Sequence, residues 1–315
     1  QAGREDHWPP LPLLRDDEVI QAQPDQTGLT ERYVEEGVRF LRGHQDEPFF
    51  LYFAHMHVHL PLYAAPRFMA QSRNGPYGAC VEAIDWSMGV LFDELQRLGI
   101  DDNTIVLFTS DNGSRTHEGG SNDPLRGTKG TTWEGGMRLP LIARWPGQIP
   151  AGSNCSELTT SMDLLPTLAR LAGTTEPQDR IIDGRDIGPL LRSEDGATSP
   201  HEVFCYYWQN TLQAIRNDRW KLHVRRGREA EEVHELYDLR DDVGETVNVF
   251  EQHPQIVAEL LSHAAIARAD LGCEASGIVG TGCRPRGHVE HPQTLTTYDP
   301  DHPYIIALYD LTEAG

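Results

Sequence analysis

Three short stretches of this chain carry side chains whose type and spacing suit chemistry. In His55-Met56-His57-Val58-His59-Leu60-Pro61, histidine recurs at every second position. Alternate side chains of an extended segment point to one side, so the three imidazoles are expected to share a face. Imidazole can ligate a metal, bind an oxyanion or carry a proton; one or two of the three could equally serve backbone groups. In Thr109-Ser110-Asp111-Asn112-Gly113, a carboxylate adjoins an amide carbonyl. Two neighbouring hard oxygens suit Ca²⁺ or Mg²⁺, and Gly113 lets the backbone turn away at once. Asp-Asn-Gly is also an ordinary turn sequence. In the run from Pro124 to Gly136, Lys129 stands between Thr128 and Gly130 on a glycine-rich loop that can approach a ligand closely. Its ammonium would suit a sulfate or phosphate oxygen. The run has the composition of a phosphate loop without the Walker spacing, and a solvated loop lysine is the competing reading.

These stretches need elements to hold them. Phe49 to Ala54 is a continuous apolar run directly before the histidines, and Thr104 to Thr109 is another directly before Asp111. Both are predicted to be buried strands. Between them, Val81, Ile84, Met88, Leu91, Leu95 and Leu98 recur at spacings of three and four before Gly99, which predicts a helix over 79–98. Strand, helix and strand together predict a βαβ unit with a parallel sheet. Open α/β sheets bind ligands beyond the C-terminal ends of their strands, where both stretches fall. Ser110 to Gly136 holds seven glycines and no apolar period, the mark of a long functional or disordered loop.

Other helices are predicted over 30–43 and 161–172, the latter opened by Ser161 and closed by Gly173, and a strand over 139–145. The first 30 residues, polar and proline-rich, read as loop. Beyond residue 195, the segments 203–208, 213–216, 221–224 and 235–239 alternate like antiparallel strands around an Asn217-Asp218 turn, and a helix follows over 254–270. From about residue 286 no element is evident. Leu-Tyr-Asp-Leu occurs at 236–239 and again at 308–311, too short an echo to be a repeat. The domains expected are 1–195, 196–287 and a tail over 288–315.

The net charge of −21 excludes nucleic-acid binding driven by counterion release. An anionic substrate would have to be met by a local positive pocket. No stretch reaches 18 apolar residues, so no membrane partner is expected, and Gln1 to Pro10 lacks a signal-peptide pattern. The five cysteines form no Cys-x-x-Cys pair, which argues against a zinc or redox motif. Cys273 and Cys283 flank a loop and could pair; a reduced thiol is the alternative for each.

Together these residues resemble the type I sulfatase family, within the alkaline-phosphatase-like superfamily. The likeness is strongest over Pro48–Pro61, Ile105–Gly113 and Pro124–Pro140. Ala79–Asp85, Ser161–Thr167, Ile215–Leu222 and Glu235–Leu239 resemble further family blocks in family order. The resemblance implies an α/β fold, part of an alkaline-phosphatase-like sandwich, with a small C-terminal antiparallel sheet plus helix. It implies hydrolysis of sulfate monoesters on an aryl or sugar group. Asp111 and Asn112 would be metal ligands, usually to Ca²⁺ rather than Mg²⁺. His59 and Lys129 would contact the sulfate as catalytic and substrate-binding groups, with His57 beside them. Family members are commonly exported, periplasmic or lysosomal.

The family nucleophile is a formylglycine made from Cys or Ser in Cys/Ser-x-Pro/Ala-x-Arg, a motif that does not occur in these residues. Cys283-Arg284-Pro285-Arg286 comes nearest, with arginine one position early. The nucleophile segment and opening sheet strand are therefore expected to be missing from this chain, and open sheet edges would invite self-association. Two alternatives remain: a phosphate-ester hydrolase of the same superfamily, and a non-catalytic domain that binds anions or metal.

Overall fold

A computed structural model describes residues 11–293 and 295–296. The chain divides into two compact units, one ending at Asp101 and resumed at Arg286, the other running from Asp102 to Pro285.

The first unit opens with an antiparallel hairpin, β1 (Pro12–Arg15) and β2 (Glu18–Ala22), where the sequence reads as loop. Asp16, at φ 51°, makes the tight turn; aspartate tolerates the left-handed conformation that such turns require. Three helices follow: α1 (Leu29–Gly43), α2 (Pro66–Gln71) and α3 (Gly75–Arg97). α1 buries Leu29, Val34 and Leu41 on one face. Gly37 allows close approach to α3, because a Cβ there would lie 3.0 Å from the Phe53 ring and 3.1 Å from Leu91. Arg42 clasps the buried Glu94 carboxylate of α3 through two hydrogen bonds of 2.6 and 3.1 Å. The buried stripe of α3 is Ala79, Cys80, Ala83, Ser87, Leu91 and Leu95. It keeps Leu91 and Leu95 of the predicted periodicity but shifts to smaller residues over the N-terminal half, where Val81 is exposed. Small residues win the inner face where helices pack closely.

Phe49–Ala54 forms no regular element, since it pairs with no described strand. Phe50 and Tyr52 are 72% and 81% exposed. The predicted parallel βαβ unit is therefore absent among the described residues.

In the second unit β3 (Val106–Thr109) instead pairs antiparallel with β4 (Leu141–Arg144), Val106 opposite Arg144. The loop between them ends in one short helix, α4 (Glu134–Met137). α5 (Leu164–Leu171) is preceded by a 3-10 turn over Ser161–Asp163, where the Asp163 carboxylate accepts from Thr160 N–H at 2.7 Å, so Thr160 rather than Ser161 is the cap. α6 (Gly188–Leu191) leads to a four-stranded antiparallel meander of β5 (Phe204–Trp208), β6 (Thr211–Arg216), β7 (Trp220–Arg226) and β8 (Glu231–Asp238), then α7 (Pro254–Leu271). This is the small sheet and helix that the alternation predicts. Leu212, Ile215, Leu222, Val224 and Leu236 pack on Val257, Leu260 and Ala264 of α7.

Cys273 and Cys283 are both free thiols. The Cys273 thiol lies 3.4 Å from Ser276 Oγ, and Cys283 turns to the Leu271 carbonyl; each sulfur has a local partner, and of the two readings the reduced thiol holds. The echo at 308–311 lies outside the described residues. Among the described residues no helix is long and apolar enough to cross a membrane.

Candidate functional site

The histidine stretch belongs to the first unit. It is not extended: His59 N–H donates to Met56 O at 3.1 Å, closing a turn. The turn leaves His59 exposed while His55 and His57 are half-buried, so the three imidazoles do not share one face. His55 Nε2 lies 2.9 Å from Ser87 Oγ, whose hydroxyl is committed to Ile84 O at 2.6 Å. His55 must then donate from Nε2, leaving a bare Nδ1, which is buried without a partner among the described residues. Burial, helped by the neighbouring His57, pushes the His55 pKa down to about 4. His55 is thus a neutral structural residue.

His57 is half-buried, its pKa lowered by burial against the pull of Glu31, and its Nδ1 also lacks a partner among the described residues. His59 is exposed, with Nδ1 2.7 Å from Leu60 O. A carbonyl only accepts, so Nδ1 carries the proton, and Nε2 has no partner among the described residues.

The other two stretches lie in the second unit, and backbone hydrogen bonds bring them together. Lys129 N–H donates to Ser114 O at 3.2 Å, two residues beyond Asn112, and Gly113 N–H donates to Gly136 O at 3.0 Å. Asn122 staples the same region, accepting from Ser114 N–H and donating to Ser114 O and Gly127 O at 2.9 to 3.0 Å. The glycines permit backbone to lie on backbone: a Cβ on Gly113 would stand 1.8 Å from Gly135 O, and one on Gly135 2.6 Å from Arg126 O. Among the described residues, the Asp111 carboxylate, the Asn112 amide and the Lys129 ammonium make no hydrogen bond or ion pair. All three groups are uncommitted.

The loop is held from behind by the small sheet. β7 alternates, turning Leu222 and Val224 to α7 and Lys221 and His223 to the opposite face. There a buried polar cluster forms around Glu134. Its Oε1 accepts from Tyr206 Oη at 2.7 Å and Lys221 Nζ at 2.9 Å, and its Oε2 from Arg216 at 2.8 Å. Glu245 Oε1 faces Lys221 Nζ at 3.0 Å and His223 Nε2 at 2.8 Å, while its Oε2 accepts Glu134 N–H at 2.7 Å. Thr132 donates to Gln213 of β6, and the Trp133 ring packs against His223 and Tyr237. Burial pushes the Glu134 carboxyl up, but the Lys221 and Arg216 charges override it and hold the pKa at about 2. Burial, stronger than the Glu245 hydrogen bond, holds His223 at about 4.

A sequence profile described as Sulfatase matches residues 6–174, more than half of the chain. The chain belongs to the sulfatase family. A second profile, N-sulphoglucosamine sulphohydrolase, C-terminal, matches residues 128–268. Steryl-sulfatase of Rattus norvegicus is 43% identical over 219 residues, 67% of this chain and 37% of that protein. N-acetylgalactosamine-6-sulfatase of Rattus norvegicus is 42% identical over 231 residues, 69% of this chain and 44% of that protein. Among solved structures, that of Ps i-CgsB aligns with a TM-score of 0.73 at 26% identity, covering 85% of this chain and 61% of that one. The PsFucS1 sulfatase from Pseudoalteromonas sp. aligns at 0.67 and 28%, covering 77% and 53%. The chain therefore spans 37% and 44% of the length of the two rat relatives.

Within this sulfatase chain, His57, His59, Asp111, Asn112 and Lys129 all fall inside the Sulfatase match, and Lys129 inside both. The donor chemistry of Asp111 and Asn112 fits a hard divalent cation as two of its ligands. Among the described residues no three His, Cys, Asp or Glu side chains converge into a metal site. Glu134, Lys221, His223 and Glu245 are not singled out by any motif in the sequence. Their signal was faint: Lys221 and His223 sit on alternate positions of an otherwise apolar strand, and Lys129 and Lys221 are the only lysines in the chain.

Proposed function

We propose that this chain handles the sulfate group and part of the metal in the hydrolysis of sulfate monoesters on a sugar, aryl or steroid group. The observation that carries the reading is the 3.2 Å bond from Lys129 N–H to Ser114 O, which ties the cation-bearing loop to the Asp111-Asn112 turn. Lys129 then neutralises a sulfate oxygen with an ammonium that owes nothing to any other described residue. Asp111 and Asn112 contribute oxygens to a divalent cation, Ca²⁺ rather than Mg²⁺, which when bound supplies positive charge to the sulfuryl oxygens. His59, with Nδ1–H spent on Leu60 O, offers Nε2; once protonated it donates there to the sulfate. His57 keeps an unpartnered Nδ1 beside it in sequence. Preorganised cations of this kind act on charge that spreads over the transferring group. The formylglycine expected of the family has no precursor motif in these residues, so the nucleophile is assigned to none of them. The exposed Phe50, Tyr52 and Ile142 support self-association, which light scattering would read.

The test is hydrolysis of a chromogenic aryl sulfate and the matching aryl phosphate by the protein with Ca²⁺. Sulfate turnover that collapses in both Lys129→Ala and Asp111→Ala supports the reading. A preference for phosphate moves the protein to the phosphate-ester alternative, and tight sulfate binding without turnover to the non-catalytic one.

A further inference from the structure

The loop that carries Lys129 has a narrow neck. Gly135 N–H donates to Arg126 O at 2.7 Å, so residues 126 and 135 meet while Lys129 lies between them in the chain. Glu245 grips both sides of that neck. Its backbone carbonyl accepts from Arg126 Nη1 at 2.8 Å, and its carboxylate accepts from Glu134 N–H at 2.7 Å. The Arg126 guanidinium also lies 3.9 Å over the Trp133 ring. The other oxygen of Glu245 is held by Lys221 and His223 of β7. Glu245 is fully buried and adopts φ 52°, a conformation that costs a residue with a side chain and persists only where the surroundings enforce it. No apolar packing need explains a carboxylate there.

We propose that Glu245 is the positioning residue for Lys129, clamping the loop neck to the small sheet so that the ammonium is fixed before substrate arrives. The inference rests on Lys129 as the sulfate-binding cation. Glu245 touches no reacting atom and acts through Arg126, Glu134 and the loop. A glutamine at this position keeps the shape but turns one acceptor oxygen into a donor. Whichever way the amide faces, it loses either Glu134 N–H or the Lys221 and His223 donors.

The experiment is a double-mutant cycle on aryl sulfate hydrolysis with Glu245→Gln and Lys129→Ala. Arg126→Ala is included because its exposed side chain can be removed without unfolding the buried cluster. Glu245→Gln is expected to lower kcat/KM on the order of 100-fold, the effect of displacing a catalytic group by about 1 Å, and Arg126→Ala less. Both losses should fall in the same parameter, kcat or KM, as the loss in Lys129→Ala, and vanish when Lys129 is already alanine. Losses of equal factor in both backgrounds would overturn the proposal, as would parental activity in Glu245→Gln. If Lys129→Ala is itself as active as the parent, the sulfate-binding reading fails. Amide exchange across residues 126–135 then decides the clamp: faster exchange in Glu245→Gln sustains it, and unchanged exchange overturns it.

Discussion

Glu134 and Lys221, 87 residues apart in the chain, meet at 2.9 Å with both side chains withdrawn from solvent. Removing Lys221 leaves Glu134 with Arg216, but it leaves the buried Glu245, which Lys221 also serves, facing only the neutral His223 ring and the Glu134 N–H. Lys221→Met, close in length and without charge, is therefore expected to destabilise the second unit by roughly 3–5 kcal/mol. Urea denaturation followed by fluorescence would read it. A loss under about 1 kcal/mol would mean that the cluster contributes little beyond packing.

The same cluster sets a pH dependence. His223 has a folded pKa of about 4, below its ordinary 6.5. Between those values the unfolded chain binds a proton that the folded chain refuses, so stability falls as pH drops through that window. Glu134, held at about 2 rather than 4.5, contributes fully above pH 4.5 and loses that contribution as pH falls toward 2. Denaturation midpoints are expected to decline from pH 6.5 downward in two stages. His223→Gln should flatten the upper stage; an unchanged slope there would show that His223 does not carry it. His55, also at about 4, adds the same sign in the first unit.

Gly113 is required by contact. A Cβ there would lie 1.8 Å from Gly135 O and 2.8 Å from its carbonyl carbon; both are backbone atoms, which cannot swing aside. Gly113→Ala is expected to cost about 1–3 kcal/mol as overpacking and to separate the Asp111 turn from the Lys129 loop. Thermal denaturation and aryl sulfate hydrolysis would fall together. An active, stable variant would mean that the two segments need not touch.

How much of this was legible beforehand follows from what each signal depends on. The small sheet and α7 were readable because their alternation and amphipathicity answer to one local core, that of Leu222, Val224 and Leu260. Phe49–Ala54 reads as a strand because it is apolar and aromatic, yet a strand exists only where another edge bonds to it, and no described strand does. The periodicity marked Leu91 and Leu95 of α3, but its N-terminal inner face was hidden because close helix packing selected Ala79, Ala83 and Ser87 over larger neighbours. Asp111, Asn112 and Lys129 stood out because exposed chemistry on glycine-rich loops has few other uses. Glu245 did not, since nothing about a glutamate between Gly244 and Thr246 reveals that it will be buried under a loop 119 residues earlier.

The sharpest division between stability and function is expected at Asp111 and Lys129. Asp111 is exposed, and neither side chain has a partner among the described residues. Folding alone gives no reason for a carboxylate and an ammonium to be held uncommitted on adjoining loops. Asp111→Ala and Lys129→Ala should therefore each leave stability in metal-free buffer within about 0.5 kcal/mol of the parent. Aryl sulfate hydrolysis should fall by roughly 10²–10³-fold in Lys129→Ala, the scale of losing one preorganised group that stabilises transition-state charge. Asp111→Ala should lose the extra thermal stability that added Ca²⁺ gives the parent, since only a ligand that binds the folded state raises its melting point. A Ca²⁺-induced shift in Tm that survives Asp111→Ala undiminished would remove Asp111 from the metal site, whatever happens to the rate.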